Sequence, residues 1–94
     1  ASIGAGIGSI NYSNDMVVTP NPVKDGKFEV IINNSLFNGL ATFKLIDVSG
    51  KDVFYITREM AGSCEFTLPA IIPGVYYMKV IHEGNVAVTK MVFL

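Results

Sequence analysis

The sequence predicts an all-β domain built as a sandwich of two antiparallel sheets. Apolar residues recur at every second position in a series of short segments, and turn-forming residues separate these segments. No segment shows the period of an amphipathic helix. The chain has 94 residues, of which 50% are hydrophobic and 16% charged. This length and composition indicate one folded domain and exclude a disordered chain.

The first predicted strand covers Met16–Thr19, and a Pro-Asn-Pro triplet ends it. Pro20 and Pro22 fix φ, have no amide proton to donate, and hold the residue before each of them in extended geometry. The triplet therefore predicts a stiff corner that carries the chain across to the other sheet. Gly26 then allows a tight turn with positive φ into the second strand, 27–33.

A tight hairpin is predicted at the centre of the chain, between the strands at 40–48 and 51–58. Only Ser49 and Gly50 separate the two apolar alternations, and Asp47 stands just before them. Ser-Gly beside an aspartate is favourable turn chemistry.

Three further strands are predicted at 63–68, 74–82 and 86–94, with turns at Pro73-Gly74 and at 82–85. Seven short antiparallel strands in fewer than 100 residues predict a sandwich of the immunoglobulin-like type. The Cys…Trp…Cys pattern of antibody domains is absent because the chain has no tryptophan. The predicted domain therefore resembles antibody domains in its architecture and lacks their Cys…Trp…Cys pattern.

The chain divides into a predicted flexible linker at 1–14 and a sandwich at 15–94. The first segment is rich in glycine and serine and carries no charge, which is typical of linkers. The sequence also starts without a signal peptide or an initiator methionine, so we expect a piece of a larger or processed protein.

Several classes of function are disfavoured by composition. The formal net charge is -1, with no basic block, so nucleic acid is not an expected partner. No apolar run approaches the roughly 20 residues of a membrane-spanning helix.

Catalytic and metal-binding residues are scarce. Cys64 is expected to be a small buried side chain, and His82 a solvated turn residue, although a Cys–His pair stays open as a hydrolase hypothesis. Calcium requires six to eight oxygen ligands, usually from closely spaced acids. The aspartates here stand singly at turns or strand ends, so no metal or cofactor is expected: Asp15, Asp25, Asp47 and Asp52.

Two surfaces could contact a partner. The face with Val75, Tyr77, Lys79 and Ile81 is either a second packed layer of the sandwich or a protein-contact surface. The last strand ends in four apolar residues, and Lys90 is its only charge. At a sheet edge it would present unpaired backbone groups, beside which a partner could add a strand.

Four segments in order resemble the C-terminal sorting domain of the bacterial type IX secretion system. They read "TPNPVKDGKFEV", "KLIDVSGKDV", "LPAIIPGVYYMKV" and "EGNVAVTKMVFL", and the likeness covers 17–94. One departure is that Pro73 directly precedes Gly74, where many members have a residue between them. The residues that match the family pattern are Pro20, Asn21, Pro22, Gly26, Asp47, Gly50, Lys51, Pro73, Gly74, Val75, Tyr76, Gly84 and Lys90.

The resemblance implies a non-catalytic signal at the end of a larger cargo protein. The cargo would cross the periplasm, pass the type IX outer-membrane translocon and reach the outer membrane, the cell surface or the medium. A sortase-like cysteine protease would cut the linker, with Gly8 and Ser9 as plausible positions. The strand expected to be recognised consists of Lys90, Met91, Val92, Phe93 and Leu94.

Two rival functions and one further partner stay open. The domain could be an adhesive or structural module that is retained on a surface protein, or a small hydrolase that uses Cys64 and His82. A second copy of the chain is a further expected partner, through exchange of an edge strand.

Overall fold

The computed structural model describes residues 10–11 and 16–94, and it shows eight β-strands and one short 3₁₀ helix, Ser35–Phe37. The strands β2 to β8 correspond to the seven predicted ones. The bounds are β1 Ile10–Asn11, β2 Met16–Thr19, β3 Lys27–Ile32, β4 Gly39–Asp47, β5 Asp52–Met60, β6 Ser63–Thr67, β7 Gly74–His82 and β8 Asn85–Phe93.

The strands form two sheets. The larger sheet has the order β1-β8-β7-β4-β5 and the smaller sheet the order β2-β3-β6. All neighbours pair antiparallel except β1, which runs parallel to β8. Within β2 to β8 the chain changes sheet after β3, β5 and β6, as in immunoglobulin-like sandwiches, so the predicted fold class is confirmed.

The predicted linker lies mostly outside the described residues, as do Gly8, Ser9 and Asp15. Ile10 and Asn11 pair with Asn85 and Val86 in the larger sheet. The linker between the sandwich and a preceding domain stays a prediction.

Aromatic rings fill the core between the two sheets. Phe28 stacks on Phe66 with ring centroids 5.3 Å apart, and Phe66 meets Phe43 edge to face at 5.0 Å. Phe93 packs edge to face against Phe28 and Tyr76, at 5.8 and 5.3 Å. The last strand is thereby tied into the centre of the core.

The Pro-Asn-Pro corner reaches the larger sheet but does not stay there. After the corner, Val23 pairs with Phe93 in a single parallel bridge. The chain then turns at Asp25 and Gly26, both with positive φ, and β3 returns to pair with β2. The predicted turn at Gly26 is confirmed. The predicted transfer of the chain to the other sheet is wrong: Val23 makes only one bridge to the larger sheet, and β2 and β3 pair in the same sheet.

None of the helical structure in the described part of the chain is long and apolar enough to cross a membrane.

We predict that Gly26→Ala destabilises the domain far more than Gly50→Ala. Both glycines have positive φ, 70° and 89°, so each alanine incurs about 1–2 kcal/mol of backbone strain. A Cβ at Gly26 would also lie 2.4 Å from the carbonyl oxygen of Leu68, whereas nothing lies within 4 Å at Gly50. We expect a total loss of about 3–4 kcal/mol for Gly26→Ala in urea unfolding. Equal losses for the two variants would contradict the close packing at Gly26.

Candidate recognition site

Most of the motif residues meet at one end of the sandwich, called here the motif end. In the larger sheet Asp47 lies opposite Tyr76, and Gly74 lies opposite Phe93, so the end of β4, the start of β7 and the end of β8 share this end. Gly84 is at the other end, in the turn between β7 and β8. The residues brought to the motif end are Pro20, Asn21, Pro22, Gly26, Asp47, Gly50, Pro73, Gly74, Tyr76 and Lys90.

The Asn21 side chain pairs with the backbone of the last strand. Its Nδ2 donates to the carbonyl oxygen of Lys90 at 3.1 Å, and its Oδ1 accepts from the amide of Val92 at 3.0 Å. A carboxamide offers the same donor and acceptor as a peptide group. Asn21 therefore takes the place of one residue of a neighbouring strand.

Val23 continues this pairing with its own backbone. Its amide donates to the carbonyl oxygen of Val92 at 2.7 Å, and its carbonyl oxygen accepts from the amide of Leu94 at 2.9 Å. The segment 20–23, called here the clip, thus makes four hydrogen bonds to the outer edge of 90–94. The expectation that this stretch presents unpaired backbone groups to a partner is wrong, because the clip already bonds them.

The two prolines of the clip suit this role. Pro20 and Pro22 lack amide protons, so neither flanking residue can compete with Asn21 as a donor to the strand. Both rings are exposed, and both X–Pro peptide bonds are cis.

Phe93 is the point where the other motif segments meet the last strand. It is 3% exposed and contacts the Tyr76 ring. The Tyr76 hydroxyl donates to the carbonyl oxygen of Ile72 at 2.5 Å, which ties the start of β7 to the loop before it. A tyrosine bonded to the upstream backbone at this corner is a recurrent feature of immunoglobulin-like folds.

The predicted recognition strand has two different faces. Met91 and Phe93 are buried in the core, with 0% and 3% exposure. Lys90 is exposed, Val92 is half-buried, and Leu94 is 63% exposed. Of these side chains, only Lys90, Val92 and Leu94 are accessible to a partner in the folded domain.

Asp47 organises the central hairpin. Its Oδ1 accepts from the Ser49 hydroxyl at 2.6 Å, from the Ser49 amide at 2.9 Å and from the Lys51 amide at 3.0 Å. The hydroxyl bond of Ser49, followed by the amide of Lys51, holds the pKa of the Asp47 carboxyl below its usual value. The predicted turn role of Asp47 is confirmed.

His82 is not the solvated turn residue that was expected. Its side chain is 12% exposed, and Nδ1 donates to the carbonyl oxygen of Leu40 at 2.7 Å. The ring fits there because position 39 is glycine: a Cβ on Gly39 would lie 2.9 Å from the ring. Sequence periodicity carries no sign of this contact, because it joins β7 to the start of β4.

Cys64 is buried as predicted, at 6% exposure, and burial raises the pKa of its thiol. It belongs to β6 in the smaller sheet, whereas His82 belongs to β7 in the larger one. Asp52 faces Lys44 at 3.6 Å, and Asp25 lies in the turn before β3. Within the described part of the chain, no three His, Cys, Asp or Glu side chains form a metal-binding group.

The fold and the motif end define a class of domain: an immunoglobulin-like sandwich whose last strand is held by the Pro-Asn-Pro segment of its own chain. A family model described as "Secretion system C-terminal sorting domain" matches residues 17–93. The chain therefore belongs to this family, the sorting domains of the type IX secretion system. No curated protein was found to match it. Membership makes the domain a secretion signal of a larger cargo that is exported to the cell surface or beyond.

We predict graded effects of two substitutions at Asn21. Asn21→Ala removes both side-chain bonds and should cost about 1–2 kcal/mol of unfolding free energy. Asn21→Asp keeps an acceptor for the Val92 amide but replaces the donor to Lys90 by a carboxylate oxygen. Hydrogen exchange at the Val92 amide should therefore accelerate in the alanine variant more than in the aspartate variant. Unchanged exchange in both would show that the clip does not pair with β8 in solution.

We predict that the contribution of Asp47 to stability disappears in acid. Because the folded pKa is lowered, the contribution is fully present above the pKa of the unfolded chain, about 3.9. It is lost as the pH falls through the lower, folded pKa. Asp47→Asn should therefore lower the melting temperature at pH 7 but change it little in strong acid. Ser49→Ala should raise the Asp47 pKa toward its ordinary value in an NMR titration; no rise would contradict the cause given above.

Proposed function

We propose that this domain is a non-catalytic sorting signal that the type IX translocon recognises as a folded surface at the motif end. The observation that carries the proposal is the convergence of separate sequence segments on the last strand. The clip bonds the outer edge of β8, Gly74 pairs with Phe93, and Tyr76 packs against Phe93.

Accessible apolar groups at the motif end support recognition of a surface. Val48, Ile72 and Leu94 are 74%, 76% and 63% exposed, each in a turn or terminal segment at this end. An open cavity of about 400 Å³ lies between the Asp25-Gly26 turn and the end of β8. Exposed apolar groups beside a concave site are typical of protein contacts.

Strand addition beside 90–94 is a different mechanism, and the clip argues against it. A partner strand could enter only after the four hydrogen bonds of the clip had been released. A homodimer that exchanges this edge strand would also require release of the clip. Such a homodimer stays a prediction. Asn21→Ala should increase such exchange in concentrated solution, because it removes two of these bonds.

The edge of β5 is protected in another way. A bulge interrupts its pairing with β4 between Leu45 and Ile46. Arg58 points inward from β5, donates to the carbonyl oxygen of Glu65 at 2.6 Å and lies over the Phe66 ring. Bulges and inward charges are the devices by which natural sheets prevent edge-to-edge pairing.

Processing of the exported protein is the second part of the proposal. By family resemblance, a sortase-like cysteine protease cuts within 1–14, near Gly8 and Ser9, after the cargo has crossed the periplasm and the outer membrane. The alternative is an adhesive or structural module that stays on the cargo. Mass spectrometry of the exported cargo distinguishes the two, since only the first removes residues 15–94.

Removal of 90–94 is a poor test of recognition, because it also removes the core residues Met91 and Phe93. Substitutions of exposed side chains test recognition more directly, because they leave these core residues in place. We would fuse the 94-residue chain to a reporter in a host with a type IX system and compare Leu94→Ser with Leu40→Ser. The two leucines are similarly exposed, at 63% and 65%, but only Leu94 is at the motif end.

Leu94→Ser, alone or with Lys90→Glu, should retain the reporter in the periplasm, whereas Leu40→Ser should leave export unchanged. Melting curves of the purified domains show whether each variant is folded. Normal export of the folded Leu94→Ser, Lys90→Glu double variant would refute recognition at the motif end.

A further inference from the structure

The two outer faces of the sandwich carry like-charge pairs of opposite sign. On the larger sheet Lys44 lies directly opposite Lys79, and on the smaller sheet Glu29 lies directly opposite Glu65. Directly opposite residues of antiparallel strands have Cβ atoms about 4.5–5.5 Å apart, and like charges there are destabilising. Neither pair contributes to the stability of the isolated domain.

The lysine face, defined by Lys44, Lys79, Tyr77 and Ile81, is only partly neutralised. Asp52 lies 3.6 Å from Lys44, at the sheet margin. Lys79 makes no ion pair within the described part of the chain, although it is half-buried between Lys44 and Val88. Tyr77 is 38% exposed, which is high for an aromatic ring in the middle of a sheet.

The glutamate face, defined by Glu29, Glu65, Val17 and Ile31, has the complementary composition. Lys27 shares the face, but neither glutamate forms an ion pair with any described residue. The next cross-strand pair joins Val17, which is 54% exposed, to Ile31. On the lysine face the next cross-strand pair joins Tyr77 to Ile46, so a charged pair lies beside an apolar pair on both outer faces.

We propose that the lysine face of one copy of the domain docks on the glutamate face of a second copy. The two pairs are both direct cross-strand neighbours, so their spacing matches, and their charges are opposite. Docking would neutralise both repulsions at once and cover Tyr77 and Val17. The partner is a second copy of the chain, because the two complementary faces belong to the same molecule.

Such an interface is heterologous, because each copy uses a different face at each contact. Copies therefore add head to tail, and one face stays free at each end of an open array. Surface charge pairs are screened by salt, so the association should weaken steeply as ionic strength rises. The inference is independent of the sorting function and of strand exchange.

Charge-swap variants of the 94-residue chain test this pairing by sedimentation velocity at low ionic strength. The double variant Lys44→Glu, Lys79→Glu has two acidic faces, and Glu29→Lys, Glu65→Lys has two basic faces. Each alone should associate at least about tenfold more weakly than the wild type, equivalent to about 1.4 kcal/mol. An equimolar mixture of the two should associate again. Lys24→Glu, in an exposed loop, is the matched control and should behave as the wild type does.

Glutamine substitutions at the same four positions keep the test valid if the charge-swap variants misfold. They remove the repulsion within each face, so they should fold at least as stably as the wild type and lose the salt-dependent association. A wild-type chain that stays monomeric in concentrated low-salt solution overturns the proposal. The proposal is also overturned if the equimolar mixture of the two charge-swap variants fails to associate. In that case the lysine face would have a different acidic protein as its partner.

Discussion

The hydrogen bonds between the clip and the last strand are the constraint on which the rest of the motif end depends. Asn21 and Val23 satisfy backbone groups of 90–94 that would otherwise face solvent or another chain. An edge strand with free backbone groups is a liability that folded proteins cover. Here a segment some 70 residues earlier in the chain covers it, so the edge is covered only when the two ends of the domain meet.

This arrangement links the sorting signal to the folded state. Phe93 and Met91 fix the last strand in the core, while Lys90, Val92 and Leu94 face outward from the same strand. A chain that had not folded would have neither the clip nor this spacing of outward groups. Recognition of the motif end would therefore select cargo whose signal domain is already folded.

Local chemistry made much of the fold predictable from the sequence. The alternation of Phe28, Val30 and Ile32 predicts β3, and Ser49-Gly50 after Asp47 predicts the central hairpin. The clip was not predictable, since a side-chain amide can mimic a strand only once distant segments have come together. The packing of His82 on Gly39 was missed for the same reason: it depends on which strands become neighbours.

Photocrosslinking during export tests the central claim most directly. A photoreactive phenylalanine analogue would replace Leu94 at the motif end or, in a parallel strain, Leu40 at the start of β4, and the cells would be irradiated while cargo is in transit. Recognition of the folded motif end predicts crosslinks to the translocon from position 94 and none from position 40. Equal crosslinking from both positions, or crosslinking from position 40 alone, would contradict it.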